Sequence, residues 1–90
     1  MDARACAIYG RIQFQKGDIN EAIELYRQSL QADIRNGNVW IYLGDAWKSE
    51  GRSDLADEAY RGCLENDPKN SIMIQRAVEL FLVYFTAMFS

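Results

Sequence analysis

The side chains of this chain that could do covalent chemistry are two thiols and one acidic cluster. Cys6 and Cys63 could serve as nucleophiles if a neighbouring base activated them. Asp54, Asp57 and Glu58 carry carboxylates at helical spacing and could transfer protons. However, both thiols fall on apolar stripes, and the carboxylates fall on the outward part of a predicted helix. We therefore expect the thiols to be buried and inert and the carboxylates to be solvated.

The rest of the composition also argues against catalysis. The 90 residues include no His, which removes the commonest general base and the commonest metal ligand. The two cysteines are 57 positions apart and form no CxxC pair, and no Gly-rich phosphate loop is present. The net charge of −3 is unfavourable for binding nucleic acid, which needs a basic field. The sequence predicts no enzyme activity, no cofactor, no metal site and no nucleic-acid partner.

The expected setting is the cytoplasm. Asp2, Arg4 and Arg11 place charges in the first turns, and no apolar run follows them as it would in a secretory signal. Two unpaired thiols without such a signal favour a reducing compartment.

The elements that must position these side chains repeat with a period of 34 residues. A fixed period of this length indicates stacked helical units, each of which buries its apolar side against the next. The recurring pairs are Gly10 and Gly44, Gly17 and Gly51, Ala22 and Ala56, Glu24 and Glu58, Tyr26 and Tyr60, Arg27 and Arg61, Leu30 and Leu64, Asp33 and Asp67, and Asn36 and Asn70.

Each period predicts two helices. The first helix covers about 4–15 and stops at Gly17; Asp18 then caps a helix over 19–32, with Glu21 completing a capping box. After a break at 36–38, the third helix covers about 39–49 and stops at Gly51. Ser53 is the expected N-cap of a fourth helix that ends near 66 and carries an apolar stripe. That stripe consists of Leu55, Ala56, Ala59, Tyr60, Cys63 and Leu64. Asp67-Pro68 closes the unit, and Asn70 or Ser71 caps a last helix that runs close to the C-terminus.

The second period resembles the tetratricopeptide repeat (TPR), whose pattern is Trp-x2-Leu-Gly-x2-Tyr, then Ala-x3-Phe, then Pro. The matching residues are Trp40, Leu43, Gly44, Trp47, Ala56, Tyr60 and Pro68. The first period keeps the small residues but has Cys6, Gln13 and Ile34 where the family has Trp, an aromatic residue and Pro. The resemblance implies an all-α, right-handed solenoid of helical hairpins with five helices. It forms one domain over 1–90, divided into repeats 3–36 and 37–70 and a capping or half-repeat helix over 71–90.

The resemblance also implies a concave groove, lined by the first helix of each repeat, that accepts an extended peptide or a helix. The polar and apolar side chains expected there suit peptide recognition, although the charged ones fit a solvated face equally well. The residues that map onto the groove are Arg4, Ala7, Arg11, Phe14, Asn38, Ile41, Tyr42, Asp45, Lys48, Ile72, Gln75, Arg76 and Glu79.

One TPR subclass grips the C-terminal carboxylates of chaperones through a Lys/Asn/Asn/Lys/Arg clamp. The equivalent positions here are Ala7, Arg11, Tyr42, Ile72 and Arg76, of which only Arg76 matches. We predict that this chain does not bind such tails in that way.

The last helix is the second functional candidate, because it is apolar nearly all round from Ala77 onward. Such a helix needs burial on more than one side, whereas the end of a solenoid usually has a polar outer face. The first of three open explanations is contact with another chain, which makes a homo-oligomer the first expectation. The second is a following helix in a longer array. The third, membrane contact, is not expected: the uncharged run 80–90 makes a helix of about 16 Å, too short to span a bilayer. The residues expected to mediate self-association are Leu80, Phe81, Val83, Tyr84, Phe85, Met88 and Phe89.

The sequence thus predicts a non-catalytic module that binds a protein or peptide in its groove and self-associates through its last helix. The alternative is a structural oligomerisation or capping module with no peptide ligand, including a fragment of a longer array.

Overall fold

Five α-helices account for most of residues 1–89, the part of the chain that the computed structural model describes. They are α1 (Ala3–Gln15), α2 (Ile19–Ala32), α3 (Gly37–Ser49), α4 (Ser53–Asn66) and α5 (Ser71–Phe89). Helix α1 packs against α2 and α3 packs against α4, while contact between α2 and α3 joins the two hairpins. The expected all-α fold of five helices is confirmed. Ser90, the last residue of the predicted uncharged run, lies outside the described residues.

The turns inside the two hairpins follow the predicted glycines. Gly17 and Gly51 have φ angles of 89° and 75°, in the left-handed region where other residues are strained. They let the chain leave α1 and α3 and reverse direction within three residues. The 34-residue period therefore gives both hairpins the same backbone turn.

The predicted helix starts are partly wrong. Asp18 occupies the N-cap of α2, but its side chain makes no capping hydrogen bond, so the expected capping box does not form. Helix α4 has Arg52 at its N-cap, and Ser53 is the first helical residue rather than the cap. Helix α3 begins at Gly37, two residues earlier than predicted, because Asn36 already accepts its first backbone hydrogen bonds.

The start of α5 settles the choice between Asn70 and Ser71 in favour of Asn70. Its side-chain oxygen accepts a hydrogen bond from the Met73 backbone N–H at 3.0 Å, as an N-cap does. Its amide nitrogen donates to Asn38 at 2.8 Å and to Asp67 at 3.0 Å. Asn70 therefore ties the beginning of α5 to α3 and to the loop that precedes it.

The core lies mainly where α2 meets α1 and α3. In each hairpin a glycine of the first helix faces a tyrosine of the second: Gly10 faces Tyr26, and Gly44 faces Tyr60, with no room for a side chain between them. The buried apolar residues form one cluster that includes Ala7, Ala22, Ile23, Tyr26, Leu30, Val39, Leu43, Ala46 and Ala59.

The apolar stripe predicted for α4 is only partly covered. Ala56, Ala59 and Cys63 are buried, but Leu64 is 52% exposed. Its equivalent Leu30 is 7% exposed, because α3 packs over α2. Helix α5 does not cover α4 in the same way: none of its residues is buried, and only Ile72 and Met73 are half-buried.

Candidate functional site

Two adjoining cavities form a groove along α1 and α3. The larger, of about 550 Å³, extends from Asp2 and Arg4 to Asn38, and the smaller, of about 200 Å³, extends from Phe14 to Asp45. Arg11 and Tyr42 line both cavities and so form the junction between them. The groove therefore runs across the first helices of both hairpins, which are the helices that the resemblance implied.

Seven of the residues predicted for the groove line these cavities: Arg4, Ala7, Arg11, Phe14, Asn38, Tyr42 and Asp45. Arg4 and Arg11 are exposed, whereas Phe14, Asn38, Tyr42 and Asp45 are half-buried. The residues that complete the lining were not predicted for the groove: Asp2, Ala3, Ile8, Gln15, Tyr26, Asp33, Asn36 and Val39.

An arginine–tyrosine stack shapes the junction. The Arg11 guanidinium carbon lies 4.8 Å from the centre of the Tyr42 ring, within cation–π range. The Tyr42 ring in turn lies 6.0 Å from the ring of the buried Tyr26, at an angle of 40°. Burial raises the pKa of Tyr26 to about 12, although the positive charge of Arg11 opposes this shift. The core thus holds Tyr42 in place, and Tyr42 holds the Arg11 charge at the groove surface.

Two further predicted residues, Asp45 and Arg76, bind each other. The Arg76 guanidinium donates two hydrogen bonds of 2.9 Å to the Asp45 carboxylate, and the Tyr60 hydroxyl donates a third of 2.6 Å. Burial alone would raise the pKa of Asp45, but the hydrogen bonds from Arg76 and Tyr60 outweigh it and hold that pKa below its usual value. Burial and the bond to Asp45 raise the pKa of Tyr60 to about 12. This ion pair fastens α5 to α3. Asp45 and Arg76 therefore bind each other, and neither is free to bind a ligand while the pair is intact.

Other predicted groove residues are placed differently from the expectation. Ile41 is wrong as a groove residue, because it has no exposed surface and packs inside the fold. Ala7 lines the larger cavity but is buried in the core cluster. Gln75 is exposed and donates a hydrogen bond to Glu79 along α5, and Lys48 is exposed at the end of α3. The cavities end before these side chains.

The two thiols and the acidic cluster, which could in principle react, lie in places typical of structural and surface residues. Cys6 and Cys63 are both free and buried, and burial raises the pKa of the Cys63 thiol, with the nearby Asp67 charge adding to the shift. Asp54, Asp57 and Glu58 are exposed, and Asp54 pairs with Arg52 at 3.3 Å. Among residues 1–89, no group of three or more His, Cys, Asp or Glu side chains is close enough to hold a metal ion.

A third cavity, not anticipated from the sequence, lies between α2, α3 and α4. Its volume is about 420 Å³, and it shares no lining residue with the groove. We call it the tryptophan cavity; it is lined by Arg27, Leu30, Gln31, Ile34, Trp40, Leu43, Trp47, Leu55, Glu58 and Ala59. A sequence signal existed, since Trp40, Leu43 and Trp47 recur at helical spacing, but they were used only as matches to the repeat pattern.

Helix α5 presents its apolar side chains to solvent. The residues predicted to mediate self-association, Leu80, Phe81, Val83, Tyr84, Phe85, Met88 and Phe89, are all at least half exposed. By length and composition alone, α5 could cross a membrane, and the fold buries none of it. At 19 residues it is about 28 Å long, longer than the uncharged run considered above, because it begins at Ser71 and includes the charged Arg76 and Glu79.

The chain is similar in sequence to known proteins. The tetratricopeptide repeat family matches residues 3–33 and 38–70. Protein bimA of Emericella nidulans is 30% identical over 57 residues, which are 63% of this chain and 7% of that protein. Anaphase-promoting complex subunit 3 of Schizosaccharomyces pombe is 33% identical over 49 residues, which are 54% of this chain and 7% of that protein. The chain thus spans only a small part of the length of these relatives.

The helical hairpins, the glycine turns and the family match agree. This chain belongs to the tetratricopeptide repeat family, a family of non-catalytic repeats, and it is a protein–protein interaction module.

Proposed function

We propose that this module binds an extended peptide segment of a partner protein in the groove between α1 and α3. The observation that carries this proposal is the junction of the two cavities at Arg11 and Tyr42. A single groove crossing two hairpins suits a segment of several residues better than a small molecule.

The side chains of the groove favour a segment that carries an acidic residue next to an apolar one. Arg4 and Arg11 are exposed and can pair with a carboxylate, while Phe14 and Ile8 offer apolar surface on the same helix. The Asp45–Arg76 pair makes a clamp for a free C-terminal carboxylate unfavourable, because Arg76 already has a carboxylate partner. The preferred ligand is therefore an internal segment rather than a chain end.

Selection from a library of phage-displayed random 16-residue peptides on the immobilised protein tests this proposal. We expect the enriched peptides to combine an acidic and an apolar residue. Their affinity, measured by fluorescence polarisation, should fall at least tenfold in Arg11→Glu and in Tyr42→Ala. Arg61→Glu is the matched control, since Arg61 is an exposed arginine on α4 that lines none of the cavities. Enriched peptides that bind all three variants as tightly as the unmodified chain would place binding outside the groove.

A second proposal, favoured by the exposure of α5, is that the chain self-associates through this helix. Large apolar side chains exposed side by side are typical of an interface. Light scattering coupled to size exclusion, over a tenfold concentration range, should give a mass of at least twice 10.3 kDa. Phe85→Asp should return the mass to that of the monomer, whereas Ile12→Asp, at an exposed isoleucine of α1, should not. A folded monomer at all concentrations would contradict this proposal.

A purely structural role is the alternative to peptide binding. It gains support from the similarity to anaphase-promoting complex subunit 3, which by its name is part of an assembly. In that role a neighbouring chain would occupy the groove, and no peptide would be enriched.

We also propose a cytoplasmic location, since both cysteines are free and buried.

A further inference from the structure

The tryptophan cavity is an apolar site on a different side of α3 from the groove. Trp40, Trp47 and Leu55 are half-buried in its walls, and Ile34 is exposed at its edge. Its two charged residues do not point to a charged ligand: Arg27 lies 5.4 Å from the Trp47 ring centre, and Glu58 brings the opposite charge. The cavity therefore suits an uncharged apolar or aromatic side chain.

The chain itself carries such side chains in a regular arrangement. Phe81, Phe85 and Phe89 follow one another at intervals of four along α5, and we call them the phenylalanine row. The ring centres of Phe81 and Phe85 are 6.0 Å apart, and those of Phe85 and Phe89 are 4.7 Å apart. All three rings are between half and three-quarters exposed. Residues 80–89 carry no charge, so the row itself brings no ion into the contact.

The row does not reach the cavity of its own chain. No residue of α5 lines that cavity, and the Arg76–Asp45 pair holds the start of α5 against α3. The row and the cavity are thus two apolar surfaces of one molecule that remain apart within that molecule.

We propose that the phenylalanine row of one copy docks in the tryptophan cavity of a second copy, and that the exchange is reciprocal. This inference rests on the proposed self-association and names the surface that receives α5. A two-fold symmetric pair satisfies both rows and both cavities and leaves no open contact for further growth.

The area available suits a weak, reversible dimer. A buried aromatic side chain contributes about 150–250 Å². Given their exposure, the three rings can bury on the order of 370 Å², whereas the cavity walls offer less surface than the rings do. Two reciprocal contacts then bury on the order of 1,000 Å², at the low end of specific interfaces and below the range of about 1,200–2,000 Å² found in stable complexes. Edge-to-face contacts between phenylalanine and tryptophan rings add to the stability.

Complementing variants test this arrangement. One variant loses the row, through Phe81→Asp and Phe85→Asp, and keeps the cavity. The other loses the cavity, through Ile34→Glu and Leu55→Glu, and keeps the row. We expect each variant to be monomeric alone. Because the mixture offers one contact in place of two, we expect a weaker one-to-one heterodimer, detected by native mass spectrometry at a concentration above the one at which the unmodified chain dimerises. Ile34→Glu alone, at an exposed position, should weaken the dimer without unfolding the chain, and circular dichroism checks that all variants fold.

Tryptophan fluorescence provides an independent measurement, because both tryptophans of the chain line the cavity. Dilution of the unmodified chain should shift the emission to longer wavelength as the mass falls, since the rings become hydrated. The same shift should be absent in the variant that has lost the row.

The outcomes separate this inference from the broader proposal. If Phe85→Asp gives monomers but the cavity variant stays dimeric, α5 pairs with another surface, so self-association holds and the docking site is wrong. If the unmodified chain is monomeric, both are wrong. Monomers that co-float with phosphatidylcholine vesicles only when the row is intact would assign α5 to the membrane and overturn the inference.

Discussion

Helices α3 and α5 hold equivalent places in the 34-residue period, yet the fold covers them very differently. Val39, Leu43 and Ala46 of α3 are buried against α2 and α4. Their equivalents in α5 are Met73, which is half-buried, and Ala77 and Leu80, which are exposed. Helix α3 packs between α2 and α4, whereas α5 makes few contacts with the other helices. The repeat pattern therefore specifies which face of a helix seeks a neighbour, but the neighbour itself must be present to cover it.

The second helices show the same contrast. Leu30 of α2 and Leu64 of α4 are the same residue type at the same repeat position, but α3 covers only Leu30. These two leucines therefore allow a comparison in which the residue type and its repeat position are the same and only the surroundings differ.

The largest expected effect comes from truncating these two leucines. Leu30→Ala should lower the free energy of unfolding by about 2–5 kcal/mol, because it leaves a cavity in the core. Leu64→Ala should lower it by less than about 1 kcal/mol, since little buried surface is lost. Urea denaturation followed by circular dichroism measures both. Equal losses would mean that α5 or another chain covers Leu64 in solution.

A gain in stability is expected at Gln13, the position equivalent to Trp47. Gln13 is 6% exposed, and its side-chain oxygen has no hydrogen-bond partner, while its amide donates to the Tyr9 hydroxyl at 3.3 Å. Gln13→Leu should raise the free energy of unfolding by about 1–2 kcal/mol, because the unpaired oxygen no longer has to be buried. Thermal unfolding should shift upward by roughly 4–8 °C per kcal/mol. Gln15→Leu, at an exposed glutamine, is the control and should change little.

A smaller change in the free energy of unfolding is expected at the Asp45–Arg76 ion pair, which joins α3 to α5. Arg76→Ala should cost roughly 1 kcal/mol, because the pair is partly exposed and its charges are screened by solvent. The loss should be local, and hydrogen exchange should quicken in the first turns of α5 while α3 stays protected. Arg76→Lys should restore only part of the protection, since lysine lacks the two parallel donors. Unchanged exchange in Arg76→Ala would show that Asn70 alone holds α5.

The smallest effect is the pH dependence of the same contact. The pKa of Asp45 is lower in the folded chain than its ordinary value, so the unfolded chain takes up the proton first as the pH falls. The stabilisation should be complete at neutral pH and should decline below about pH 4, as the pH approaches the lowered pKa. The difference in unfolding free energy between the unmodified chain and Asp45→Asn, measured from pH 7 to pH 2, should shrink over that range. A constant difference would show that the Asp45 charge contributes nothing.

Some residues of the candidate sites could be predicted from the spacing of nearby residues, and others depend on contacts between distant helices. Arg11 and Tyr42 were predicted from their places in the repeat, because the face of a helix follows from residue spacing. Ile41 was wrongly predicted on the same basis, since its spacing from Asn38 and Asp45 does not reveal that the interior closes over it. The tryptophan cavity could not be predicted, because it depends on the gap left between three helices.

The sequence by itself determined the five helices, the two glycine turns and the family, because these follow from short-range spacing and from a period visible in the residues. Only the tertiary structure decided how Asp45, Tyr60 and Arg76 are used, since their hydrogen bonds join α3, α4 and α5 across 15 and 31 positions of the chain. It likewise decided that the fold of a single chain leaves α5 exposed. Burial depends on the neighbours of a helix in space. The apolar pattern of α5 indicates that burial would be favourable, but it does not specify which surface packs against it.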